Sequence, residues 1–206
     1  MRKAFDMVSE TSEIRAGTTP RAWRARIESR LDRVPSELQL GETLKPAAIL
    51  LPIIEREAPS VLLTKRSDNM PTHAGQISFP GGRVHSGDRS LIDTALREFQ
   101  EETGIARSFV TVAGFLDSYE TVNSGFMILP VVGFVREDFA LNINTREVAE
   151  VFEVPLEYLC DPTKRSLMSV ERQGVIREFH TIPFGGHTIW GATAEIIVNL
   201  SGRLCA

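Results

Sequence analysis

The run "FPGGRVHSGDRSLIDTALREFQEETGI", from Phe79 to Ile105, constrains this 206-residue chain more than any other stretch. It opens on Pro80-Gly81-Gly82, a strong turn signal, and then the hydrophobic period changes. Leu91, Ile92, Ala95, Leu96 and Phe99 recur at helical spacing, with Asp88 as the expected N-cap and Gly104 as the stop. On such a helix, positions i, i+3 and i+4 share a face, so Glu98, Glu101 and Glu102 point the same way, beside Arg97. The apolar residues take the other side. The fragment therefore reads as a turn followed by an amphipathic helix with one acidic face.

Like charge concentrated in one turn has two readings. Exposed pairs at this spacing cost only about 0.2–0.5 kcal/mol each, so a solvated acidic face is the plain alternative. Three features favour a bound cation. The acids lie near the C-terminal end of the helix, where the macrodipole already disfavours negative charge. A hard divalent ion takes several carboxylate oxygens plus water, which this triangle can supply. The helix also follows Gly81-Gly82, where backbone can approach a phosphate closely. Arg97 can pair with one of these acids and hold it in place, or pair with it only at the surface.

At these residues the chain resembles the Nudix hydrolases. Their box runs Gly, five residues, Glu, seven residues, Arg-Glu, an aliphatic residue, any residue, Glu-Glu, any residue, Gly and an aliphatic residue. Gly82, Arg97, Glu98, Phe99, Glu101, Glu102, Gly104 and Ile105 fit. The acid of the first half is Asp88, one residue further from Arg97 than in the general pattern, a form associated with the coenzyme A pyrophosphatase branch. That branch has an upstream signature, which here reads "LLTKRSDNMPTHAGQISFPGG" from Leu62 to Gly82. Every element matches except Pro71, which stands where the pattern has arginine. "PVVGFV" and the late "WGATA" also look like the branch, and the resemblance covers about residues 45–200.

The resemblance implies an α/β (α+β) fold, an α/β/α sandwich with a mixed sheet, and hydrolysis of a diphosphate linkage. It implies Glu98 and Glu102 as the principal Mg²⁺ or Mn²⁺ ligands. Glu101 is then a third ligand or the group that orients the attacking water, and Arg97 positions a glutamate. The general base is a box glutamate or a distant acid; Glu147, Glu150 and Glu120 are candidates, each with the alternative of an ordinary exposed acid. Gly81, Gly82, Arg66 and Arg83 are the expected substrate-binding residues, with Lys65 a further cation near the phosphates. His73 lies inside the signature, whereas His85, His180 and His187 are assigned structural roles. Within the branch the implied products are 3′,5′-ADP and 4′-phosphopantetheine. Pro71 keeps open ADP-ribose, a nucleotide sugar, a dinucleoside polyphosphate or an oxidised nucleotide as substrates. A non-catalytic ligand-sensing module is a further alternative, disfavoured by the intact glutamates.

The rest of the chain fits around this fragment. "AAILLPIIE", "SVLLTKR", "QISF", "FVTVAGFLDSY", "FMILPVVGFV", "GVIREFHTIPF" and "HTIW" read as strands, the fifth almost wholly apolar and so central. "EVAEVFEVPLEYL" reads as a loop and short helix, and "GATAEIIVNLSG" as a closing helix with Gly202 just beyond its end. Residues 1 to about 20 read as a polar arm. "TPRAWRARIESRLDRV" follows as an amphipathic helix with Thr19 as N-cap, Pro20 first, and Trp23, Ile27 and Leu31 on one face. That face suits either the domain surface or a homodimer interface. The expected division is an arm and helix over 1–40 and the hydrolase domain over 41–206.

A formal net charge of −4 argues against a nucleic-acid backbone or an anionic membrane as partner, and for a small nucleotide held by local arginines or a cation. Cys160 and Cys205 lack metal-ligand spacing and are read as reduced thiols. No apolar run approaches a membrane span and the first residues lack a signal core, so a cytoplasmic location is expected.

Overall fold

The computed structural model describes residues 20–35, 44–121, 124–172 and 174–205. Its spine is a parallel pair, β1 (Lys45–Glu55) and β7 (Phe126–Arg136), in register from Lys45↔Phe126 to Glu55↔Arg136. Both strands are near-continuous apolar runs because both of their faces are covered. Antiparallel neighbours extend the sheet. β2 (Ser60–Arg66) joins the other edge of β1, β3 (Ile77–Ser78) joins β2, and β5 (Val110–Phe115) joins β7. Three more strands pair off this path: β4 (Gly81–Arg83) with β1, β6 (Tyr119–Glu120) with β7, and β8 (Val148–Pro155) with β2.

Side chains alternate across a strand, and β1 divides its own between two cores. Leu51 and Ile53 face a cluster with Trp23, Ile27, Ile197 and Leu200. Ala48, Leu50 and Ile54 face one with Ala95 and Phe99. The first cluster is closed by α1 (Pro20–Arg30), α3 (Leu156–Cys160) and α4 (Ala192–Cys205); the second by α2 (Leu91–Thr103). The mixed sheet between helices is the sandwich the sequence predicts. A second sheet, β9 (Ser166–Arg172), β10 (Val175–Phe184) and β11 (His187–Trp190), leaves the body beside α4.

Several local expectations change. Gly81-Gly82 is not a turn: the pair is extended in β4, with Ala48↔Gly82 and Ile49↔Gly81 in register. A Cβ at Gly81 would sit 2.6 Å from the Ala48 carbonyl oxygen, so glycine here permits strand contact. The segment expected as a loop before α3 is β8. Its acid Glu153 accepts hydrogen bonds from Arg56 and the Ser60 hydroxyl, so a charged residue is accommodated in a strand by distant partners. Ser90, not Asp88, caps α2, its hydroxyl accepting the Asp93 N–H at 3.1 Å. Gly104 ends α2 in the left-handed region, φ 76°, as expected. Gly202 lies inside α4 rather than beyond it, and β9 was not anticipated. Thr19, the polar arm and the 40/41 boundary fall outside the described residues.

Candidate active site

The amphipathic period of α2 buries Ala95 and Phe99 in the second core and turns Glu98 and Glu102 toward β4. Both carboxylates are buried, 9% and 4% exposed. Gly82 is the reason Glu98 fits: a Cβ there would stand 2.5 Å from Glu98 Oε1. The Gly81 N–H reaches the Glu102 carboxyl. The two glycines thus bring backbone, not side chain, against the acids.

Burial sets the electrostatics. Desolvation first, and then the charge of Glu98, pushes Glu102 up to about 8, with Glu147 adding to the rise and Arg66 opposing it. Glu98 is also raised by desolvation, opposed by Arg97. Asp88 and Arg97 move the other way. Arg97 donates Nε to Asp88 Oδ1 at 2.9 Å and Nη2 to Oδ2 at 3.0 Å, a two-point ion pair. Its remaining donors reach Glu98 Oε1 at 2.8 Å, Glu101 Oε2 at 2.9 Å and the Arg83 carbonyl at 3.1 Å. Asp88 further accepts the His85 N–H and the Thr94 hydroxyl, each at 2.8 Å. This network holds its carboxyl well below the usual range, and it raises Arg97. Asp88 meets the guanidinium from the end of the turn His85–Asp88, closed by its own N–H on the His85 carbonyl at 3.0 Å. Asp88 is therefore the anchor of Arg97, a role hidden by reading it as a cap.

The expected residues separate into groups. Glu98, Glu102, Gly81 and Gly82 come together, with Arg66 and the half-buried Glu147 close enough to act on Glu102 electrostatically. Glu101 differs in exposure: it stands at the surface and shares Arg97 Nη1 with the buried Glu98 carboxylate. Arg66 Nε is buried and lacks a hydrogen-bond partner. The Arg83 guanidinium instead lies over the Phe126 ring, 5.0 Å from its centroid. Glu150 meets His187 Nε2 at 3.3 Å, and Glu120 is exposed on β6. His73 takes a left-handed backbone, φ 59°, and pairs with Gln76. His85, assigned only a structural role, lies near enough to Glu98 to lower its pKa; its place just before Asp88 was the available signal. Pro71 is exposed.

Among the described residues, no three His, Cys, Asp or Glu side chains are already grouped as a metal cage. The donor chemistry nonetheless suits a hard divalent ion. Two buried, mutually repelling carboxylates present only oxygen, and a cation would relieve both the repulsion and the desolvation.

Comparison with known proteins agrees with this architecture. The NUDIX domain model matches residues 43–179. A Yersinia enterocolitica protein named "Uncharacterized Nudix hydrolase NudL" is 41% identical over 158 residues, 77% of this chain and 80% of that protein. The protein of the same name from Pectobacterium atrosepticum is 40% identical over 171 residues, 80% and 88% of the two chains. A solved MutT/nudix family protein from Enterococcus faecalis superposes with a TM-score of 0.53 at 18% identity, over 98% of this chain and 75% of that one, a likeness of fold alone. With fold, box and relatives in agreement, the chain belongs to the Nudix family, hydrolases that act on diphosphate linkages. Among the described residues no helix is long and apolar enough to cross a membrane.

Proposed function

We propose that this protein is a divalent-metal-dependent pyrophosphatase that cleaves coenzyme A and its derivatives to 3′,5′-ADP and 4′-phosphopantetheine. The observation that carries this reading is one of continuity. The upstream signature Leu62–Gly82 forms β2, β3 and the start of β4, so it leads directly to the point where Glu98 and Glu102 meet Gly81 and Gly82.

Glu98 and Glu102 would hold Mg²⁺ or Mn²⁺. When bound, such an ion neutralises the diphosphate and makes water acidic enough to supply a nucleophile near neutral pH. The chain's own groups do the rest. Arg97, fixed by Asp88, keeps the Glu98 carboxylate aimed at β4 and holds Glu101 at the rim. Arg66, with a free buried Nε beside Glu102, is the cation available to a phosphate oxygen. Gly81 and Gly82 let the substrate approach backbone. Glu147 is the candidate to take a proton from water, supported by its charge acting on Glu102. Glu101 is the alternative base.

Pro71 favours a second reading in which the same machinery acts on ADP-ribose or another nucleoside diphosphate derivative. Coenzyme A differs from dephospho-CoA by a 3′-phosphate, which a guanidinium grips with paired hydrogen bonds and proline cannot. Such bonds contribute roughly 1.5–3 kcal/mol, about ten- to a hundredfold. The test compares kcat/KM for CoA, dephospho-CoA and ADP-ribose in the wild type and in Pro71→Arg. CoA is expected to be cleaved with a preference over dephospho-CoA below about a hundredfold, widened by Pro71→Arg. Brisk ADP-ribose hydrolysis with CoA left intact would establish the second reading.

A further inference from the structure

The second sheet has no counterpart in the catalytic account. Every described side chain of β9 is exposed, including Leu167 at 56%, Met168 at 48% and Val170 at 46%. Register sorts these residues onto faces, since directly opposed residues share a face, as do i and i+2. Met168↔Phe179, Val170↔Arg177 and Thr181↔Trp190 place Met168, Val170, Phe179 and Trp190 on one face, with Arg177 toward the tip. The Phe179 and Trp190 rings lie 6.2 Å apart, and Trp190 is 44% exposed.

The root of the arm fixes which way this face looks. Ile182 and Ile189, on the opposite face, are buried in the core, so the Met168–Phe179–Trp190 face looks away from the body. His180, also on that opposite face, is tied to Glu195 of α4 through its N–H at 2.9 Å and Nδ1 at 3.0 Å. The arm is thus held in position before anything binds it. The acids Glu171 and Glu178 lie on the His180 face too, leaving Arg177 as the one charge among the described side chains of the outward face.

We infer that this outward face is the seat of a second copy of the chain, packed about a two-fold axis through the Phe179 pair. An isologous contact must be self-complementary, and this face is. With strands antiparallel across the axis, Arg177 of each copy comes over Thr181 and the Trp190 ring of the other, a cation above an indole face. The two Arg177 charges then stand about 13 Å apart along the strand direction, beyond the screening length of physiological salt. Methionine and aromatic side chains free of acids make the usual core of such an interface. A lipid surface is the weaker occupant, because a chain of net charge −4 with one cation among the described side chains of this face gives anionic headgroups little to hold.

Sedimentation velocity over a wide concentration range tests this. The wild type is expected at twice the 22.9 kDa of one chain. Phe179→Asp and Met168→Lys should each run as folded monomers, checked by circular dichroism, and Arg177→Gln should weaken association about fivefold. Ile176→Ser, on the other face, should leave the dimer intact. A wild type that stays monomeric throughout would overturn the inference, as would a dimer indifferent to both charged variants. Monomeric protein that co-sediments with phosphatidylserine vesicles, and loses them on Phe179→Asp, would give the face to lipid instead.

Discussion

Removing charge from Glu102 should stabilise the metal-free protein at alkaline pH and leave it unchanged in acid. Burial and Glu98 raise this carboxyl from 4.5 to about 8, so between those values the folded chain holds a proton that the unfolded chain releases. The folded state binds the extra proton, and stability therefore falls as pH rises through the window. The slope approaches about 1.4 kcal/mol per pH unit near its middle. Glu102→Gln keeps the shape and cannot ionise. Measured by urea unfolding with chelator present, the variant should match the wild type below about pH 4 and exceed it by about 4 kcal/mol near pH 8. Taking the difference between the two proteins cancels the histidines and the other titrating groups they share. Saturating Mg²⁺ should reverse the trend in the wild type alone, because a ligand that binds only the folded state stabilises it. Parallel pH profiles for the two proteins, or a wild type that gains stability relative to Glu102→Gln as pH rises in chelator, would refute this electrostatic picture.

Glu98→Gln should lower turnover by orders of magnitude at saturating metal, whereas Glu101→Gln, altering an exposed acid tethered to Arg97, should cost far less; steady-state kinetics separates them. Gly82→Ala should push the Glu98 carboxylate aside, since the new methyl would lie 2.5 Å from Oε1. Because the obstructed atom ends a flexible side chain, the variant should lose about 1 kcal/mol or less in denaturant unfolding yet most of its activity. Gly81→Ala meets the Ala48 carbonyl and should instead lower the melting temperature.

Much of this fold could be read along the chain because its signals are local. The strands β1 and β7 are written as two apolar runs, though their parallel pairing is not, and α2 is written in a clear helical period closed by Gly104. Sequence reading failed where the deciding partner is distant. Glu153 makes β8 look like a loop until Arg56 and Ser60 are seen beside it. β9 buries neither face, so no alternation marks it. Pro80-Gly81-Gly82 carries turn chemistry, but pairing with β1 draws the glycines straight. At the site, composition and motif identified the glutamates. The burial that separates Glu98 and Glu102 from Glu101, and the clasp of Arg97 by Asp88, emerge only from packing.

Product chromatography of a CoA reaction, run with chelator and then with Mg²⁺ restored, tests the proposed activity most directly. The expected record is silence under chelator, followed on adding Mg²⁺ by equal amounts of 3′,5′-ADP and 4′-phosphopantetheine. Cleavage that continues undiminished after exhaustive chelation would contradict the metal site at Glu98 and Glu102, and intact CoA after Mg²⁺ is restored would contradict the substrate.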